Sequence, residues 1–163
     1  MSEEAAELLG TLDVQREHVL GILEGLSDDD LRRPILPSGW TCLGLVQHLA
    51  LDVEHFWFCR VVAGRTDHEE IEVENAWQVA PGVSADEVLG QYREEAERAS
   101  AVIHDTPLAA GPAWWPEDLF GTWRLDDLRQ IMLHVVAETA CHTGHLDAAR
   151  ELIDGRQWLV LTG

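Results

Sequence analysis

LDDLRQIMLHVVAETACHTGHLDAARELIDG, residues 125–155, is the stretch on which the fold turns. Leu128, Ile131, Val135 and Leu146 recur at helical spacing, so the segment reads as one long amphipathic helix. Asp126 and Asp127 suit the positive end of its dipole. Asp154-Gly155 stops it, with the glycine at the residue after the cap. Its polar residues are as periodic as its apolar ones. His134, Glu138, His142 and His145 recur at i, i+4, i+8 and i+11. At 100° per residue they span about 80° of one face, which overlaps and adjoins the apolar stripe. These groups therefore point partly inward, where an unsatisfied polar group costs about 1–3 kcal/mol.

Three further segments carry helical periodicity. The first runs from Glu3 to about Gly25, with Leu8, Leu12, Val19, Ile22 and Leu23 on one stripe. Ser27-Asp-Asp-Asp then looks like the cap of a short extra turn. The next segment starts at Thr41, a good N-cap, and continues through LGLVQHLALDVEHFWFCRVVAG to Gly64. It is apolar nearly all round, so it is expected to be the most buried element. The third runs from Ser84, with Glu87 completing a capping box, to about His104. Its surface is charged, with Arg93, Glu94, Glu95, Glu97 and Arg98. Strand signals at Ile71–Val73 and Trp158–Leu161 are short enough to be coil. Four such helices fit an all-α four-helix bundle with long crossover connections, here about 65–83 and 105–123. No repeat or linker divides residues 1–163, so one domain is expected.

The chain has eleven arginines and no lysine against thirty acids, a formal charge of −19. Phosphate backbones and anionic membrane faces would be repelled, which excludes nucleic acid and membrane as partners. No basic start with an apolar run marks a secretory signal, and no apolar run is long enough to span a bilayer. A cytoplasmic protein is expected. Cys42, Cys59 and Cys141 are odd in number and lack CxxC spacing, so they read as small buried thiols. His18, His68 and His104 read as surface residues. Seven tryptophans are many for this length, and Trp77, Trp114, Trp115 and Trp123 lie in the two crossovers. They either cap the open end of the bundle or touch a co-substrate.

The second helix offers a polar face like that of the fourth: His48, Asp52, His55 and Cys59 at i, i+4, i+7 and i+11. Facing helices of a bundle commonly build metal sites in this way. The pattern alone leaves two readings open, interior hydrogen bonding and a shared cation. Two neutral imidazoles and a carboxylate would leave a tetrahedral ion one open position, the catalytic arrangement. Zinc or nickel suits such ligands better than calcium or magnesium.

LRRP…PSGWTCLGLVQHLA (31–50), Phe56-Trp57-Phe58 and the 133–155 stretch resemble the DinB-like superfamily. The resemblance is to its mycothiol-associated branch, which holds the N-terminal domains of mycothiol-dependent maleylpyruvate isomerases and the mycothiol S-transferases. It implies a bundle that is often dimeric, with one metal ligand from helix two and two, one turn apart, from the last helix. Carried over by position, the ligands are His48, Glu138 and His142. Glu138 departs from the three-histidine pattern of many members and agrees with the mycothiol branch. The implied function is a divalent-metal-dependent transferase joining a low-molecular-weight thiol, mycothiol or one like it, to a small electrophile. The alternatives are a metal-dependent hydrolase, a non-catalytic metal-binding or stress-related protein, and a bundle whose histidines only pack. No catalytic residue is singled out. Asp52, His55, His134 and His145 are candidates to orient ligands, and Arg124, Arg129 or Arg150 to pair with an acidic thiol.

Overall fold

The computed structural model describes residues 1–65 and 75–158. His68 and the weak strand signal at 71–73 lie outside these, as does most of that at 158–161. The described residues form six α-helices and one π-helix, with no strand among them. They are α1 (Glu3–Leu23), α2 (Asp28–Arg32), α3 (Cys42–His48), the π-helix (Leu49–Val62), α4 (Ala85–Asp105), α5 (Glu117–Phe120) and α6 (Leu128–Asp154). The π-helix packs on α4, α4 on α1, α1 on α6, and α6 back on the π-helix, which closes a ring of four around one apolar core. No helix among the described residues is long and apolar enough to cross a membrane.

Helix starts lie where side-chain caps satisfy otherwise orphaned N–H groups. Ser2 accepts from Ala5 N, Ser27 from Asp30 N, Thr41 from Gly44 N and Asp127 from Gln130 N. Ser84 and Glu87 form the expected reciprocal capping box. Gly155 ends α6 at φ +79°, the left-handed conformation a β-carbon disfavours. The fourth helix thus begins slightly later than its first acid suggests. α5, a single turn in the second crossover, has no sequence signal of its own.

One expectation is corrected in the second segment. It is a continuous rod, but only its first seven residues are α-helical; Leu49–Val62 is wound as a π-helix. Each residue there advances through less than the α-helical angle, because hydrogen bonds reach i+5 rather than i+4. Ala63 N, for example, donates to Phe58 O at 3.0 Å. The wider turn breaks the single polar face read from α-helical spacing. His48 faces α6, whereas His55 meets Glu95 of α4.

α3 also holds down the end of the first crossover. The buried Gln47 side chain donates to Ala76 O at 2.8 Å and Gln78 O at 3.3 Å. Gly44, one turn earlier, lets the Trp77 backbone approach: a β-carbon there would lie 2.2 Å from Trp77 O. Gly44→Ala must therefore displace the crossover, and overpacking of this kind costs about 1–3 kcal/mol. Urea unfolding should show a lower midpoint; an unchanged midpoint would mean that the contact carries no weight.

Candidate metal centre

His48 ends α3 and is 9% exposed. Its Nδ1 lies 2.9 Å from Asp52 Oδ2. A carboxylate oxygen accepts here, so Nδ1 is the donor, and in the neutral imidazole the lone pair lies on Nε2. Nε2 faces α6, 3.9 Å from Glu138 Oε1. The other oxygen, Glu138 Oε2, is 3.2 Å from His134 Nε2. His142, one turn after Glu138, brings its ring to 5.1 Å from that of His48. One donor atom from each of His48, Glu138 and His142 lies within 4.8 Å of the other two.

His142 Nδ1 is buried and has no hydrogen-bond partner among the described residues. Burial pushes the pKa of this imidazole down from 6.5 to about 4, the nearby His48 adding to the effect. The ring is therefore neutral at pH 7, with a lone pair available. A buried, unpaired imidazole nitrogen beside a carboxylate and a second imidazole is a donor set that a divalent cation fits.

The neighbours read from the sequence divide into two groups. Asp52 and His134 touch the triad, Asp52 at His48 and His134 at Glu138. Asp52→Ala should weaken divalent-metal affinity by about 10–100-fold, the usual effect of losing a partner that holds a ligating histidine. Competitive titration with a chromophoric chelator measures this, and unchanged affinity would remove Asp52 from the site. His145, by contrast, is exposed, with its ring 5.5 Å from that of His142 and 6.1 Å from Trp40. His55 is turned away to α4.

Aromatic rings border the triad on two sides. Trp77 stacks on His48 at 4.2 Å between centroids, held there by the Gln47 and Gly44 contacts. Next to His134 stands a wall of Trp57, Trp115, Phe120 and Trp123, with Trp57 at 4.8 Å and Trp123 at 5.6 Å from the imidazole. Trp123 is 43% exposed, so the wall opens to solvent. Arg124 lies over Trp115 at 5.4 Å, with its Nε 3.8 Å from Asp126 Oδ1. The other two arginines named from the sequence are committed elsewhere. Arg129 grips Glu4, and buried Arg150 binds Asp154 and the Ile22 and Glu24 carbonyls.

Other readings of single residues change. Cys42 and Cys59 are buried as expected, but Cys141 is exposed. His18 is not a free surface residue: it pairs with Asp147 at 2.7 Å and stacks on Trp158. Glu95, placed among surface charges, is 1% exposed. It follows Val88 and Tyr92 at i+7 and i+3 on the buried stripe of α4, a spacing that was visible in the sequence. His55 Nδ1 donates to Glu95 Oε2 at 3.0 Å. Hydrogen bonds with Cys59 and Glu95 raise the His55 pKa from 6.5 to about 9, against the effect of burial. Its stabilisation is fully present below pH 6.5 and is lost as pH rises through about 9. Urea unfolding of chelator-treated protein at both ends of this range should show the loss, and His55→Gln should abolish it. Equal pH slopes for the two proteins would contradict the assignment.

Comparison with known proteins found one family model, described as Mycothiol-S-transferase, that matches residues 7–155. No curated protein and no solved structure matches the chain.

Proposed function

The chain belongs to the mycothiol-S-transferase family, and from that premise we propose that it is a divalent-metal-dependent S-transferase. It would join a low-molecular-weight thiol of the mycothiol type to a small electrophile. The observation that carries the reading is the convergence of His48, Glu138 and His142, with a buried, unpaired His142 nitrogen among them.

His48 Nε2, a Glu138 oxygen and a His142 nitrogen would hold the ion, zinc being the best match to such donors and nickel the next. When bound, the cation supplies the Lewis acidity that lowers the pKa of a coordinating thiol, and the thiolate is the nucleophile. The protein's own groups do the rest. Asp52 fixes the His48 tautomer, so that Nε2 presents its lone pair. His134 holds Oε2 of Glu138, which leaves Oε1 directed at His48. Trp77 covers the His48 ring and limits access of water from that side. The wall of Trp57, Trp115, Phe120 and Trp123 offers an apolar surface to the electrophile, as ligand pockets generally do. Arg124, over Trp115, is placed to receive an anionic group of either substrate. No protein cysteine takes part.

The test is a steady-state assay of zinc-loaded protein with monochlorobimane as electrophile, with and without mycothiol. Conjugate formation should require both the thiol and the metal, stop after chelation and return on zinc addition. Turnover of electrophile at the same rate without thiol would identify a hydrolase. No turnover with any low-molecular-weight thiol would leave a metal-binding protein without catalysis.

A further inference from the structure

We propose that His55, Cys59 and Glu95 form a second site, for a thiophilic divalent cation such as zinc, between the π-helix and α4. His55 and Cys59 stand one turn apart on the π-helix, and Glu95 reaches them from the facing side of α4. One donor atom from each lies within 4.8 Å of the other two. None of the three belongs to the triad at His48, which looks toward α6.

The chemistry of the cluster is that of a transition-metal site. Thiolate, imidazole and carboxylate together are the donor types zinc uses, and sulfur excludes calcium and magnesium as natural occupants. Cys59 is 2% and Glu95 1% exposed, so both donors are held in a dry environment. The His55 side chain is 25% exposed and gives an ion its path from solvent. A buried carboxylate and a thiol flanking an imidazole already favour positive charge at this point. On binding, the imidazolium proton of His55 and the thiol proton of Cys59 leave to solvent, and the freed lone pairs join a Glu95 oxygen on the cation. Arg98 bonds to Glu95 Oε1, so Oε2 is the oxygen left for the ion. A catalytic Cys–His pair is the poorer reading, because a thiol this buried has no room for an electrophile beside it. An ion here would tie the π-helix to α4 and stabilise a backbone conformation that is rare and often associated with function.

Cobalt(II) titration of the metal-free chain tests this, since a thiolate–cobalt bond gives a charge-transfer band in the near ultraviolet that histidine and carboxylate ligands do not give. The expected result is that band and about two cobalt ions per chain at saturation. Cys59→Ser should abolish the band and lower the stoichiometry to about one, and Glu95→Gln should weaken the band-forming step by at least about 10-fold. Cys141→Ser, which changes the exposed thiol beside the triad, should keep the band. His142→Ala should also keep it while losing the other ion, so the two sites fail independently. Absence of the band in the unaltered protein, or its survival in Cys59→Ser, would overturn the proposal.

Discussion

Replacing His142 by alanine is expected to lower zinc affinity by at least about 100-fold and to reduce thiol transfer to the uncatalysed background. Partners that only orient ligands already contribute about 10–100-fold, so removing one of three donors is expected to cost at least the upper end of that range. His142 makes no hydrogen bond through its buried Nδ1, and its neutral ring forms no strong ion pair. The fold should therefore persist, and circular dichroism should match that of the unaltered chain. His48→Ala should behave alike, with an added disturbance at Trp77, whose ring loses its stacking partner. If both variants retain full affinity at the site, the triad is refuted whatever their activity.

Arg16→Ala should be the most destabilising single change, by about 3–5 kcal/mol. Arg16 lies on the buried stripe of α1, 6% exposed, and forks onto Glu54 of the π-helix at 2.7 and 2.6 Å. Its remaining donor reaches Asp13 and Ser100, each at 2.8 Å. Truncation would leave Glu54, which is fully buried, as an uncompensated charge. For a chain of this size that corresponds to a fall in melting temperature of roughly 6–20 °C. Replacing both partners together by apolar residues of similar volume should recover most of the loss, since the charge and its partner then disappear together. A calorimetric loss below about 1 kcal/mol for Arg16→Ala would show that water or rearrangement relieves the buried carboxylate.

Much of the architecture was legible because the signals are local. Ser27, Thr41, Ser84 and Asp127 mark helix starts through bonds to residues three positions on, and Gly155 marks a stop through its own backbone. The i, i+4 pair Glu138 and His142 needed only an α-helix to share a face. The π-helix was not legible. A segment apolar on all sides carries no phase, so nothing in its composition distinguishes hydrogen bonds to i+4 from bonds to i+5. For that reason His48 and His55 were read on one face and are found on two. Glu95 and Arg16 were hidden differently. Each holds a place on the apolar stripe of its helix but carries a charge, and the partner that satisfies that charge, His55 or Glu54, is distant in sequence. The exposure of His145 and Cys141 reflects the edge of the inward face of α6. About 80° of arc was enough to reach solvent at its rim.

Anomalous diffraction at the zinc edge from crystals of zinc-loaded protein locates the ion at the triad or away from it. A strong peak is expected within bonding distance of His48, Glu138 and His142. Zinc found elsewhere in the molecule, with no peak among these three side chains, would contradict that placement.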